Sequence, residues 1–151
     1  MIAEISKMAL PPIYKRNGKE CYLDPIRKKL IYITPEETVR QRVVAYLLNV
    51  LKVPADMLIV ESHLAHYKLD SKRRADIVIH AINAEGMLYP IAIVECKAPD
   101  IKIDRSVIDQ ATRYNMVVGA RYIILTNGLK HYCFELSPEG YRQMQHFHKF
   151  E

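Results

Sequence analysis

Residues 88–97 read LYPIAIVECK, and this stretch constrains the fold more than any other part of the chain. Its centre, Ile91–Val94, is an unbroken apolar run, which is typical of a short strand buried on both faces. Charge is unfavourable in such a strand, yet the run leads into Glu95 and Lys97. Because side chains alternate along a strand, these two are expected on one face about 7 Å apart, with Cys96 on the other. The stretch therefore predicts a central strand that ends in a polar site.

A helix pattern and two strand patterns precede this central strand. The helix is predicted over residues 34–51, with Thr34 as N-cap, Pro35 at the first helical position and apolar residues at helical spacing. The two strands are predicted at 57–67 and 73–82, and the second is rich in β-branched residues. Together with the central strand they predict a three-stranded meander.

A second helix and a hairpin are predicted after the central strand. Asp104 is the expected N-cap of the helix and Gly119 its C-terminal stop. Two strand patterns, at 121–126 and 130–136, are joined around Asn127–Gly128, which is a typical hairpin signal. The order of elements is α-β-β-β-α-β-β, and it predicts a mixed α/β fold.

The chain has 151 residues and contains no repeat and no Gly/Ser-rich linker, so a single domain is expected over residues 1–151. Prolines break the pattern at the start, and residues 1–33 are expected to form an irregular arm. The core is expected at residues 34–136. The tail after Ser137 is predicted to form only a short helix.

Composition narrows the class of protein. The three cysteines form no CxxC pair and are too few for a disulfide framework, which favours a reducing compartment. No apolar stretch reaches the ~18 residues of a membrane span, and the first residues lack the apolar run of a signal peptide. We therefore expect no membrane association and a cytoplasmic location. The net charge of +5 and the pI of about 9.1 allow a polyanionic partner.

A second acid is predicted beside Glu95 and Lys97. The turn at Asn83–Gly86 would pair the strand that carries Asp76 with the central strand, so that two carboxylates converge. Two acids held together are unfavourable unless a cation compensates their charge. Mg²⁺ can do so because it binds oxygen ligands, uses one or two carboxylates and keeps several waters. The alternative is an exposed ion pair between Glu95 and Lys97, worth less than about 1 kcal/mol, with Asp76 elsewhere.

The D…ExK pattern of Asp76, Glu95 and Lys97 resembles the PD-(D/E)xK nuclease superfamily, and the chain is more closely similar to the N-terminal domain of type I restriction enzyme R subunits. The similarity covers residues 24–128 and rests on five segments in the same order: DPIRKKLIYITPEETVRQ, RRADIVI, IAIVECKAP, QATRY and YIILTNG. Ala75 stands where the superfamily name has proline. The resemblance implies a restriction-endonuclease-like core, in which a mixed β-sheet is flanked by helices.

The same resemblance implies a hydrolase, namely a divalent-metal-dependent endonuclease that cleaves DNA phosphodiester bonds. Asp76 and Glu95 would be metal ligands together with the Cys96 carbonyl, with Mg²⁺ as the ion and Mn²⁺ as a substitute. Lys97 would be the catalytic lysine. Because an ordinary lysine is protonated at neutral pH, we expect it to orient the attacking water rather than to act as a base.

The resemblance also implies roles for residues of the two helices. Gln110 and Tyr114 match a QxxxY element, and their spacing puts them on one helical face where both can reach the site; core packing is the alternative for Tyr114. An acid of the first helix often joins such a site, and Glu37 is assigned as a further metal ligand with Glu36 as the alternative. Glu37 also fits a capping box with Thr34, and Glu36 suits the helix dipole, so structural roles stay open for both.

DNA contacts are assigned to the two dense basic runs. Arg27 and Lys28 of the first run, and Lys72, Arg73 and Arg74 of the second, would bind backbone phosphates, which gives affinity without sequence specificity. A solvated loop is the alternative for each run. The expected partners are DNA, a second copy of the chain in a homodimer, and the other subunits of a restriction–modification system.

Other functions receive weaker support. A non-catalytic DNA-binding or assembly module that keeps the fold is the alternative function, and RNA is an alternative substrate. The pairs His63/His66 and His146/His148 have spacings that zinc could use, but the sequence places no third ligand with either pair. The sequence contains no Walker A motif, so the ATP-driven translocase of a type I R subunit is not expected in this chain.

Overall fold

The structure, a computed structural model, describes residues 2–63 and 74–145. In this part of the chain it is an α/β fold with two α-helices, a three-stranded sheet and a six-stranded sheet. The helices are α1 (Pro35–Asn49) and α2 (Arg105–Val118). The strands are β1 (Ile13–Arg16), β2 (Lys19–Leu23), β3 (Leu30–Tyr32), β4 (Leu58–His63), β5 (Arg74–Ile82), β6 (Leu88–Cys96), β7 (Tyr122–Thr126), β8 (His131–Ser137) and β9 (Gly140–Met144).

The six-stranded sheet has the order β4-β5-β6-β7-β8-β9. All neighbours are antiparallel except β6 and β7, which are parallel and are therefore joined by the crossover helix α2. The meander β4-β5-β6 and the hairpin β7-β8 confirm the predicted order of elements. The structure is compatible with the predicted restriction-endonuclease-like α/β fold.

The six-stranded sheet carries one apolar cluster on each face. On one face Val43 and Leu47 of α1 pack with Ile77 of β5, and on the other Ala111 of α2 packs with Val78. Ile77 and Val78 of β5, like Ile93 and Val94 of β6, thus enter different clusters, because side chains alternate along a strand. This burial on both faces explains why the central strand is a continuous apolar run, and each large aliphatic side chain buried here contributes roughly 1.5–3 kcal/mol.

The predicted helix caps are confirmed. The Thr34 hydroxyl accepts a hydrogen bond of 3.0 Å from the backbone N–H of Glu37, and the Asp104 carboxylate accepts one of 3.2 Å from that of Val107. Each bond satisfies an N–H group that has no partner within its helix. Helix α2 ends at Gly119, whose φ of 74° is the left-handed conformation that favours glycine.

The N-terminal segment is not the irregular arm that was predicted. It contains a 3-10 helix, Ile2–Lys7, followed by the antiparallel sheet β1-β2-β3. A two-residue turn at Asn17–Gly18 joins β1 to β2, with φ values of 52° and 74° that match the primed turns of tight hairpins. The Asn-Gly pair in the sequence was the signal for this hairpin.

The prediction of a helix after Ser137 is wrong, because β9 continues the sheet as an edge strand. Ser137 and Gly140 are register partners, so Pro138 and Glu139 form a two-residue turn. Gly140 has a φ of 114°, and the Ser137 hydroxyl donates a 2.7 Å hydrogen bond to its carbonyl. Proline together with a left-handed glycine favours a turn over a helix at this point. No helix within the described ranges is both long enough and apolar enough to span a membrane.

Candidate metal and nuclease site

Two carboxylates converge where β5 and β6 run side by side. Ile77 and Val94 are register partners, and continuing the antiparallel pairing by one residue sets Asp76 opposite Glu95. Directly opposite residues lie on the same face, with Cβ atoms about 5 Å apart. Asp76 Oδ2 also accepts a 2.7 Å hydrogen bond from the backbone N–H of Cys96, which ties the aspartate to the end of β6. The predicted convergence of the two acids is therefore present.

Glu95 is more buried than Asp76. Its side chain is 6% exposed, and its Oε1 atom is buried without a hydrogen-bond partner. Burial, and then the neighbouring charge of Asp76, raise the pKa of Glu95 to about 9, while Lys97 acts in the opposite direction. A buried carboxylate oxygen without a hydrogen-bond partner is costly, so Oε1 is a position at which a cation would be stabilised.

Lys97 is connected to the predicted QxxxY pair. Its backbone N–H donates a 2.9 Å hydrogen bond to the Thr126 carbonyl, which fixes the end of β6 against β7. Its ammonium group donates to Gln110 Oε1 over a long distance of 3.5 Å, and Gln110 Nε2 donates to the Tyr114 hydroxyl at 3.0 Å. The structure thus brings Lys97 together with both residues of the element on α2.

An arginine that the sequence analysis did not single out lies at the centre of the acidic side chains. The guanidinium of Arg40, on α1, forms ion pairs with four carboxylates. The N···O distances are 2.5 Å to Glu37, 2.7 Å to Asp76, 3.0 Å to Glu61 and 3.3 Å to Glu36. Only the spacing to Glu36 and Glu37, four and three residues earlier on the helix, was a signal in the sequence.

Arg40 is held in its charged form despite its burial. It is 5% exposed, and although burial opposes the charge, the carboxylates of Asp76 and Glu37 raise its pKa further above the usual arginine value. One of its partners, Glu61, has a φ of 57° inside strand β4. A left-handed glutamate in a strand is unfavourable by about 1–2 kcal/mol, and such strain is concentrated at functional sites.

The structure distinguishes the two acids at the start of α1. Glu37, predicted as a metal ligand, is 4% exposed and its carboxylate accepts hydrogen bonds from Arg27, Arg40 and Gln41. Its carboxylate is therefore committed to a structural network, and the Arg40 guanidinium lies between it and Asp76. Glu36 is the acid directed to the site. Partial burial and the charges of Asp76 and Glu61 raise the pKa of Glu36, which places it among these groups.

The predicted phosphate-binding residues also differ from one another in exposure and in ion pairing. Arg27 is paired with Asp24 at 2.8 Å and with Glu37 at 2.7 Å, and its side chain is 13% exposed, so it is a structural residue rather than an accessible phosphate ligand. Lys28 is exposed, and its predicted contact with DNA stays a prediction. Lys72, Arg73 and the side chain of Arg74 lie outside the described residues. The same holds for the predicted zinc pairs, since His66, His146, His148 and the side chain of His63 are not described.

The residues present fit a Mg²⁺ ion held by few protein ligands. Among residues 2–63 and 74–145, no group of three or more histidine, cysteine or acidic side chains is arranged to hold a metal ion. Mg²⁺ does not require such a group, because it binds through one or two carboxylates and keeps its waters. Glu95 offers a buried oxygen without a partner. Asp76 accepts one hydrogen bond on each oxygen, and a carboxylate has about four lone-pair sites, so acceptor capacity is left.

Comparison with known proteins identifies the family of the chain. A family model described as the type I restriction enzyme R protein N terminus matches residues 35–149, which include both helices, the whole six-stranded sheet and all the residues of the site. Comparison with curated proteins gives no match. Membership of the wider PD-(D/E)xK superfamily stays a prediction. Because the model matches most of its length, the chain belongs to the family of type I restriction enzyme R protein N-terminal domains.

Proposed function

We propose that this chain is a divalent-metal-dependent nuclease of a restriction system, which hydrolyses phosphodiester bonds of DNA. The observation that carries the proposal is the convergence of Asp76 and Glu95 beside Lys97, with a buried Glu95 oxygen that lacks a hydrogen-bond partner. The family assignment supports a nuclease-like domain of a restriction system. Hydrolysis and the need for a metal are parts of the proposal.

The proposed metal ligands are Asp76, Glu95 and the Cys96 carbonyl, with Glu36 as a further acid on the exposed side of the site. The side chain of Glu36 is 44% exposed and that of Asp76 13%, so exposure increases from the strand ends towards α1. A bound Mg²⁺, or Mn²⁺ in its place, supplies Lewis-acid stabilisation of the negative charge that develops on the phosphate. The protein supplies the two carboxylates and a site shielded from solvent on the side of Glu95.

Lys97 is the proposed catalytic residue that touches the reacting atoms. An ammonium group has three donors and no acceptor, so it can orient a water molecule and stabilise a phosphate oxygen at the same time. Its contact with Gln110 directs the side chain towards α2, and Gln110 is held in turn by Tyr114. Gln110 and Tyr114 are therefore proposed as positioning residues for Lys97.

Arg40 is the proposed positioning residue for the acids. Its charge keeps Glu36, Glu61 and Asp76 close together without a metal. Four carboxylates around one guanidinium repel one another, and burial together with the charge of Asp76 raises the pKa of Glu36. A divalent cation would relieve the repulsion on the side of Asp76 that faces Glu95.

A non-catalytic DNA-binding or assembly module is the second candidate function. The observation that favours it is the ion pair between Arg40 and Asp76, because a carboxylate already neutralised by an internal cation has less need of a metal. This candidate predicts DNA binding without turnover. In either case the proposed partners include other subunits of a restriction–modification system, and a cytoplasmic location is expected because such a system acts on DNA inside the cell.

A cleavage panel distinguishes the two candidates. End-labelled single-stranded DNA, duplex DNA, branched DNA and RNA are each incubated with the protein in Mg²⁺, in Mn²⁺ and in a chelator, with Lys97→Ala as the matched control. The nuclease proposal predicts metal-dependent cleavage of DNA that Lys97→Ala abolishes. Binding of DNA without cleavage in either metal would favour the module, and cleavage that persists in Lys97→Ala would indicate a contaminating nuclease.

A further inference from the structure

The N-terminal sheet β1-β2-β3 carries a surface that the nuclease site does not use. The sheet spans residues 13–32, and the family model begins at residue 35, so this surface belongs to a part of the chain outside the matched family region. The hydroxyl of Tyr22 lies 2.7 Å from Thr38 Oγ1, which fastens one face of the sheet to α1. The opposite face of this sheet is called the outer face.

The register of the sheet defines the residues of the outer face. Tyr14 and Tyr32 are the cross-strand partners of Cys21 on its two sides, so the three residues share a face. Arg16 and Lys19 are partners of each other and lie on the same face, because alternate residues of a strand point the same way. Two tyrosines and two cations are thus collected on one side of the sheet.

The tyrosines and the cations of the outer face are exposed, whereas Cys21 between Tyr14 and Tyr32 is buried. Tyr14 is 50% exposed and Tyr32 is 42% exposed. The ammonium of Lys19 lies 5.8 Å from the centroid of the Tyr32 ring, and Asn17 Nδ2 donates a 3.2 Å hydrogen bond to the Tyr32 hydroxyl, so the ring is held by its neighbours. Within strands β1 to β3 the acid Glu20 is the partner of Lys15 and points to the other face.

We propose that the outer face binds a single-stranded segment of DNA, with bases stacked on Tyr14 and Tyr32 and phosphates bound by Arg16 and Lys19. Proteins bind single strands by combining aromatic side chains, on which bases stack, with cations that follow the backbone. Tyrosine rings favour an unpaired strand, because the bases of a duplex are already stacked and paired. The positive charge of the face disfavours a second copy of the same surface.

The position of the outer face fits a role in delivering a strand to the nuclease site. Tyr32 lies four residues before Glu36, so their Cα atoms are separated by at most about 14 Å. A strand bound at Tyr32 would need to cover this distance to reach Glu36, which shares Arg40 with Asp76. This delivery rests on the proposed nuclease function, whereas the binding of the strand does not.

The test is fluorescence anisotropy with a labelled oligothymidylate of about 16 nucleotides, in a chelator so that no cleavage occurs. The double variant Tyr14→Leu/Tyr32→Leu is expected to lose at least about tenfold in affinity for the single strand. Tyr14→Phe/Tyr32→Phe keeps both rings and is expected to bind within about twofold of the wild type. Tyr89→Leu is the matched control on β6, because Tyr89 is a 38% exposed tyrosine outside this sheet.

The cationic part is tested by salt titration. Arg16→Gln and Lys19→Gln are each expected to reduce the slope of log K against log salt by about 0.7, the value for one phosphate contact on a single strand. Lys15→Gln, on the other face of the same hairpin, is the control and is expected to leave the slope unchanged. These variants keep the proposal testable if the leucine variant fails to fold.

Several results would overturn the proposal. They are unchanged affinity in the leucine double variant, an equal loss in Tyr89→Leu, a change of oligomeric state instead of DNA affinity, or an equal loss for a duplex of the same length. Failure of the nuclease proposal gives a different result. In that case the wild type binds the oligothymidylate, the leucine variant does not, and neither cleaves DNA in Mg²⁺.

Discussion

Arg40 donates a hydrogen bond to Asp76, with Nη2 of the arginine 2.7 Å from Oδ1 of the aspartate. The pair joins helix α1 to strand β5, which are far apart in sequence but adjacent at the candidate site. Both groups are buried or nearly so, with side-chain exposures of 6% and 13%. The positive charge of Arg40 therefore offsets the negative charges of the neighbouring acids when no metal is bound.

Removal of the Arg40 charge is expected to destabilise the metal-free protein strongly. Arg40→Gln removes the guanidinium that pairs with Asp76, Glu37 and Glu61, and breaking a buried ion pair on one side costs about 3–5 kcal/mol. Chemical denaturation in a chelator measures the loss, and Mn²⁺ is expected to restore part of it. Arg105→Gln is the control, because Arg105 is 87% exposed and its pair with Asp109 contributes little. Equal stability of the two variants would contradict the proposed role of Arg40.

In the absence of metal, the stability of Glu95→Gln relative to the wild type is expected to increase as the pH rises. The pKa of Glu95 is raised from an ordinary 4.5 to about 9. The folded state therefore binds this proton more tightly than the unfolded state, so the associated stability is complete below pH 4.5 and is lost as the pH rises towards 9. Glutamine has no such titration, so the variant should gain about 2–4 kcal/mol over wild type between acidic and alkaline pH.

Thermal and chemical unfolding across this pH range, in a chelator, measures the difference. Adding Mn²⁺ should remove the disadvantage of the wild type but have much less effect on Glu95→Gln, because the glutamine amide lacks the negative charge that binds the ion. A difference between the two proteins that does not depend on pH would contradict this account of Glu95.

Substitution of Glu36 is expected to weaken metal binding, whereas substitution of the adjacent Glu37 is expected to lower stability. Glu36→Gln should weaken Mn²⁺ binding and cleavage with little change in the free energy of unfolding, because Glu36 is 44% exposed and lies among the site acids. Glu37→Gln should cost about 2–4 kcal/mol of stability, because it removes the buried carboxylate that pairs with both Arg27 and Arg40. Calorimetric titration and denaturation of both variants give the comparison. The reverse pattern would restore Glu37 as the metal ligand.

Loss of the contact from α2 to Lys97 is expected to lower the rate of cleavage without changing metal affinity. Gln110→Ala removes the acceptor for the lysine ammonium, and a misplaced catalytic group costs on the order of tenfold to a hundredfold in rate. Tyr114→Phe removes only the hydroxyl that holds Gln110 and should cost less. Single-turnover cleavage measures both. If Tyr114→Phe reduces the rate more than Gln110→Ala, the proposed order of contacts is wrong.

Sequence reasoning predicted those parts of the fold that are encoded locally. The caps Thr34 and Asp104 accept hydrogen bonds from backbone N–H groups three residues later. Gly119 adopts the left-handed conformation without needing a contact from a distant residue. The convergence of Asp76 and Glu95 was predictable because a short turn fixes the register of two neighbouring strands. Each of these features requires only a few consecutive residues or one hairpin.

The missed parts depend on contacts that the sequence does not display. Arg40 joins residues of α1, β4 and β5, and the position of Glu61 depends on a left-handed φ within a strand. The distinction between Glu36 and Glu37 required the positions of Arg27 and Arg40, since both acids suit a helix start equally. The hairpin at Asn17–Gly18 is different, because the Asn-Gly pair is a local signal for it in a segment that is otherwise interrupted by prolines.

The most direct test of the central claim is calorimetric titration of Mn²⁺ into the wild type, Glu95→Ala and Lys97→Ala. Asp76 and Glu95 are proposed to hold the ion, whereas Lys97 is proposed to act on the water and the phosphate. The account predicts that Glu95→Ala loses both metal binding and DNA cleavage, and that Lys97→Ala loses cleavage but binds Mn²⁺ like the wild type. Equal Mn²⁺ affinity in the wild type and Glu95→Ala would contradict it.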